Sequence, residues 1–125
     1  MKKWLLIAVI AYLLSKGAEM AIAVKPGVEL STRPEMQPVR AAVDRVWRMY
    51  NLTPTITSGM ESESIHKTQI HYQGLAEDYR THDIPENWKQ TMFNKVRVIL
   101  GSDYDVIFED AGTANEHLHI EYDPE

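Results

Sequence analysis

Two stretches of helical spacing are interleaved with four short strand candidates, and that order restricts the chain to few folds. From Pro34 onward Met36, Val39, Val43, Val46 and Tyr50 recur at three- and four-residue intervals, with Ser31 or Thr32 available as a cap and Asn51 as a stop. This predicts a helix over residues 35 to 50. Pro54 to Gly59 is β-branched, short and ended by a glycine, so a strand is expected there, running into a polar loop over residues 60 to 70. Gly74 to Arg80 is a second strand candidate. Ile84-Pro85-Glu86-Asn87 opens a second helix whose face is Trp88, Met92, Val96 and Ile99 and whose stop is Gly101. Tyr104 to Glu109 and Leu118 to Tyr122 are the last two expected strands, with a Gly-containing turn over 110 to 115 between them. Helix, strand, strand, helix and hairpin in that order imply an α+β domain with a small, mostly antiparallel sheet and flanking helices.

Composition then narrows the chemistry. At 125 residues, 44% of them apolar and 25% charged, the chain has room for one packed domain. It has no cysteine, which excludes disulfides and thiolate metal sites and leaves imidazole and carboxylate as the only strong metal ligands. The formal charge of −5, with no Lys/Arg cluster to offset it, argues against nucleic-acid binding. The N-terminus differs from the rest: Lys2 and Lys3 precede the apolar run Trp4 to Leu14, and Ala21-Ile22-Ala23 supplies a small-x-small exit. This is the layout of a secretory signal, so residues 1 to 23 are read as a signal peptide or signal anchor and residues 24 to 125 as the domain, exported to the periplasm or outside the cell. The apolar run is shorter than the roughly 20 residues of a normal membrane span. An amphipathic helix packed on the domain is the competing reading of the same segment.

Residues with metal-ligating chemistry fall in two places. His71 and Asp78 lie in the segment His71-Tyr72-Gln73-Gly74-Leu75-Ala76-Glu77-Asp78, and Glu116-His117-Leu118-His119 enters the final strand. Two imidazoles and a carboxylate, with a further carboxylate nearby, provide three ligands, an open position for water and a base, as a hydrolytic zinc site requires. Alternation on the final strand puts His117 and His119 on one face and sends Leu118 and Ile120 to the other. Taken singly, each histidine is as well explained as a solvated surface side chain, and His66 and His82 are read that way. From spacing alone both readings stay open, since short motifs match by chance.

A family resemblance adds weight to the metal reading. Thr57-Ser58-Gly59, then His71-x-x-Gly74-x-Ala76-x-Asp78, then Glu116-x-x-His119 occur in the order and approximate spacing of the zinc D-Ala-D-Ala carboxypeptidase family, peptidase family M15. That family includes cell-wall carboxypeptidases, D,D-dipeptidases and phage endolysins, and shares its fold with the hedgehog signalling domain. The likeness covers roughly residues 28 to 124. It implies a hedgehog/DD-peptidase fold, Zn2+ held by His71, Asp78 and His119, Glu116 as general base and His117 as a polar group beside the transition state. The implied activity is that of a zinc metallopeptidase acting on peptidoglycan peptides as a D,D-carboxypeptidase or an endolysin-type endopeptidase.

The chain departs from the family's pattern at one informative position. Members commonly follow the Ser-Gly pair with an aromatic residue and then an arginine that supports the oxyanion, whereas Gly59 is followed here by Met60 and Glu61. Lys67, Arg80 and His117 are the candidate substitutes. The alternatives are a zinc-binding domain, weak or inactive in catalysis, that recognises cell wall or a protein partner, and a membrane-tethered accessory protein without metal.

Overall fold

The first helical periodicity starts more tightly than its spacing suggests. Pro34–Met36 form a 3-10 turn that leads into helix α1, Gln37–Met49. Prolines occupy the first turn of each, where the missing N–H would have had no partner. Ser31 is not a helix cap: its hydroxyl accepts from the Arg33 N–H at 3.0 Å and donates to the Gly74 carbonyl at 2.6 Å, tying the helix start to a distant turn.

The computed structural model describes residues 20 to 61 and 69 to 124. The remaining elements are strands β1 (Ala23–Val24) and β2 (Thr55–Ser58), helix α2 (Gln69–Tyr72), strand β3 (Ala76–Arg80), helix α3 (Glu86–Leu100), and strands β4 (Tyr104–Glu109) and β5 (His117–Tyr122). They form a small α+β domain with three α-helices and a mixed five-stranded sheet, ordered β1-β2-β3-β5-β4. The β1–β2 pairing is parallel and the other three are antiparallel. Strand β1 and helix α2 are additions to the expected pattern. Ala23, the last residue of the expected export segment, donates to the Pro54 carbonyl at 2.9 Å, and Ile22 packs against the core. The basic start and apolar run of that segment lie outside the described residues, as do His66 and Lys67. No helix among the described residues is long and apolar enough to cross a membrane.

Helices α1 and α3 contribute Val39, Val43, Val46 and Trp47, and Met92, Phe93 and Val96, to one core that also takes Ile56, Tyr79, Val106, Leu118 and Ile120 from the sheet. Fully burying an aliphatic or aromatic side chain of this size stabilises the fold by roughly 1.5–3 kcal/mol. On α3 the apolar face is rotated from the expected one: Phe93 is buried, while Ile99 remains 41% exposed. A buried carboxylate joins the layers, because Glu77 on β3 accepts from the Arg40 guanidinium of α1 and from the Tyr79 hydroxyl at 2.8 Å. Every strand residue that enters the core leaves its neighbours on the opposite face of the sheet. That opposite face carries the polar chemistry.

Candidate functional site

Register brings the polar residues of the open face together. Asp78 on β3 pairs with His119 on β5 and Arg80 with His117, while on the far side of β5 Glu109 pairs with His117 and Ile107 with His119. Asp78 also lies opposite Ser58 of β2. These residues floor an open cleft of about 1140 Å³ whose rim includes Lys25, Gly27 and the 110 to 115 turn.

His71 arrives from outside the strands. It sits in the short helix α2, which ends as a Schellman motif: Gly74 N–H donates to the His71 carbonyl at 2.9 Å and Leu75 N–H to the Ile70 carbonyl at 3.1 Å. Gly74 takes φ +77°, and a Cβ there would lie 2.7 Å from the Ser31 hydroxyl oxygen, so the turn admits only glycine. This turn resolves the odd spacing between positions 71 and 78, because it folds the imidazole back over the strand that carries Asp78.

The three expected ligands converge. One donor atom from each of His71, Asp78 and His119 lies within 4.8 Å of the others, a group that can hold a metal ion. His71 Nε2 is 3.5 Å and His119 Nδ1 2.9 Å from Asp78 Oδ1. Ligand atoms at ~2.0–2.1 Å from a tetrahedral ion sit ~3.3–3.4 Å apart, so these separations suit such an ion with small adjustments. The two rings are tilted by 57° with centroids 5.1 Å apart, and both are buried. His71 Nδ1 lies 3.0 Å from the Gly59 carbonyl, which can only accept, so Nδ1 carries a hydrogen and Nε2 is the nitrogen directed at Asp78.

Electrostatics fit a cation as well. Burial would raise the Asp78 pKa, but hydrogen bonds from His119 and His71 outweigh it and hold the carboxyl well below the usual carboxylate range. Burial would lower the His119 pKa, yet Asp78 and Glu121 raise it to about 9. The imidazole is therefore charged at neutral pH, and a metal ion held by this group would have to displace a proton from it.

Glu116 lies at the cleft but its carboxylate is engaged elsewhere. Oε2 accepts from Thr81 Oγ1 at 2.5 Å and from Lys89 Nζ at 2.6 Å, and Oε1 accepts from the Gly112 N–H at 2.9 Å. Burial opposes the charge, but Lys89, Thr81 and Gly112 together pull its pKa down to about 2. Its parity with Leu118 explains this, since Glu116 enters β5 on the side of helix α3. His117 is a cationic group beside the candidate ligands. Its Nδ1 lies 2.8 Å from the Asn115 carbonyl and its Nε2 2.8 Å from Glu109 Oε1, two acceptors that together require both ring nitrogens to be protonated. Burial lowers its pKa, but Asn115, Asp78 and Glu109 raise it above the ordinary value. Nε2 is also 3.9 Å from Asp78.

Glu61, where the resembling family has arginine, serves the backbone. Its carboxylate accepts from the Ser58 hydroxyl at 2.9 Å, the Gly59 N–H at 2.9 Å and the Glu29 N–H at 3.1 Å, fixing the loop whose Gly59 carbonyl orients His71. Arg80 lines the cleft, exposed, on the same strand face as Asp78. His82 is exposed as expected, with its Nε2 3.2 Å from the Ala114 carbonyl. Neither a scan against protein-family models nor a search of curated proteins finds a match to this chain. Glu109 and Glu121 also reach the site, and strand alternation marks both: Glu121 follows His119 by two, and Glu109 ends the neighbouring strand.

Proposed function

We propose that the protein is a zinc-dependent metallopeptidase of the hedgehog/DD-peptidase fold that hydrolyses peptidoglycan stem or cross-bridge peptides. The convergence of His71, Asp78 and His119 on one floor of an open cleft carries this reading. Those three residues would hold the ion. When bound, zinc supplies Lewis acidity that polarises a carbonyl oxygen and makes water nucleophilic near neutral pH.

The chain's own groups supply the remainder. His117, charged and held by Asn115 and Glu109, would place positive charge beside the reacting carbonyl, and its Nε2–H would become the donor to negative charge developing there, in the role of the family's arginine, by leaving Glu109 Oε1. Glu116 is the proton acceptor and the later donor to the leaving amine. Its Oε2 is held by Lys89 and Thr81, so proton uptake requires that oxygen to turn from them towards the cleft. Removal of one oxyanion donor costs ~10²–10³ in rate in comparable sites, which sets the scale expected for His117→Ala. Export through residues 1 to 23 would deliver the enzyme to the wall, released or tethered at the membrane.

A second reading has its own observation. With Glu116 bound by three donors and Glu61 committed to the loop backbone, a domain that binds zinc and wall peptides without turning them over is equally served by the ligand geometry. Incubating the zinc-loaded protein with peptidoglycan, and with a short peptide ending in D-Ala-D-Ala, separates the two. The enzyme releases new amino groups, loses that activity to a chelator and regains it with zinc. Saturable binding of wall fragments without release selects the binding domain, and neither binding nor release contradicts both.

A further inference from the structure

We propose that Glu121 is the positioning residue of the metal centre, fixing the His119 ring so that Nδ1, and not Nε2, faces the ion. The inference rests on the metal-centre reading above. An imidazole offers two nitrogens, and which one is available to a metal is decided by the partner of the other. Glu121 follows His119 by two residues, so both side chains stand on the open face of β5. Glu121 Oε1 lies 2.6 Å from His119 Nε2. An ionised carboxylate only accepts, so Nε2 carries a hydrogen and Nδ1 is directed to Asp78 Oδ1, 2.9 Å away.

The contrast with His71 sharpens the assignment. There the Gly59 carbonyl occupies Nδ1 and leaves Nε2 towards Asp78. The two histidines thus present different nitrogens, each fixed by an acceptor on its far side, one a backbone carbonyl and one a carboxylate. Glu121 keeps 22% of its side-chain exposure and His119 8%, so the pair is largely buried at the floor of the cleft. Removing one partner of a largely buried pair also has a cost in stability, so the effect on ring orientation and ligand basicity is read from zinc affinity and not from stability.

Zinc affinity of Glu121→Ala and Glu121→Gln, measured by competition with a chromophoric chelator, tests the role alongside 15N NMR of His119 in the zinc-loaded wild type. The expected result is zinc on Nδ1 with a hydrogen on Nε2, a 10–100-fold weaker affinity in Glu121→Ala, and a smaller loss in Glu121→Gln, whose amide oxygen still accepts from Nε2. The thermal midpoint of metal-free Glu121→Gln, which keeps an acceptor for Nε2, should stay closer to that of the wild type than the midpoint of Glu121→Ala. Affinity of Glu121→Ala within twofold of wild type, a glutamine no better than alanine, or zinc found on Nε2 overturns the proposal while leaving the metal centre standing. A wild type that binds no zinc overturns the metal-centre reading itself, and the role of Glu121 with it.

Discussion

In the proposed function Glu116 serves both folding and chemistry, and the two uses pull its carboxylate in different directions. Paired with the buried Lys89, it stabilises the junction of α3 with the start of β5. Its folded pKa of about 2 lies below the ordinary 4.5, so the stabilisation is complete above about pH 4.5 and is lost as pH falls towards 2. The shift corresponds to on the order of 3 kcal/mol. Glu116→Gln should therefore lower stability by roughly that amount at pH 7, and the gap to wild type in denaturant midpoints should close progressively between pH 4.5 and pH 2. The same variant should keep its zinc and lose turnover, whereas His119→Ala should lose both; a Glu116→Gln protein that loses its zinc would make Glu116 a ligand. Spacing alone leaves the metal reading open, and it is the motif order shared with the resembling family that marks His71, Asp78 and His119 as a group. The engagement of Glu116 was not legible in this way, because Lys89 and Thr81 are remote in sequence and meet it only when α3 packs on the sheet.

Elements were legible where periodicity had length to express itself. Helices α1 and α3 and strands β2 to β5 fall close to their expected positions, since helical spacing or a strand-forming run bounded by turn residues marks each. Strand β1 spans two residues and α2 four, too few for a period to emerge. The rotated face of α3 has a similar origin, because Ile99 and Phe93 both fit helical spacing and only the position of β4 decides which is covered. Helix α2 still left one mark in the sequence, the glycine that ends it. Gly74→Ala should cost roughly 1–3 kcal/mol, combining a positive φ with a Cβ 2.7 Å from Ser31, and should weaken zinc binding by displacing His71. Gly112→Ala, with a similar φ but nothing within 4 Å, should cost only about 1 kcal/mol and leave zinc affinity unchanged. Equal effects of the two substitutions on zinc affinity would show that the α2 turn does not place the ligand.

At the scale of the molecule, the two long helices cover one face of the sheet and every candidate ligand or acid–base group on β3 and β5 except Glu116 stands on the other. The α+β class and the mostly antiparallel sheet followed from element order, but the cleft did not, because it is built from a sheet face, a short helix and two loops that no single stretch of sequence contains. Candidate ligands drawn from α2, β3 and β5 would make metal binding a property of the assembled fold, so on the proposed function zinc should raise the unfolding midpoint of the wild type and have no such effect on His119→Ala. The most direct test of the account is the zinc content of the full chain, purified without chelator and equilibrated with zinc. About one ion per chain, falling towards zero in His71→Ala and His119→Ala, is the expected result for a mononuclear three-ligand site. A wild-type content near zero, or a full equivalent retained by both variants, would contradict it.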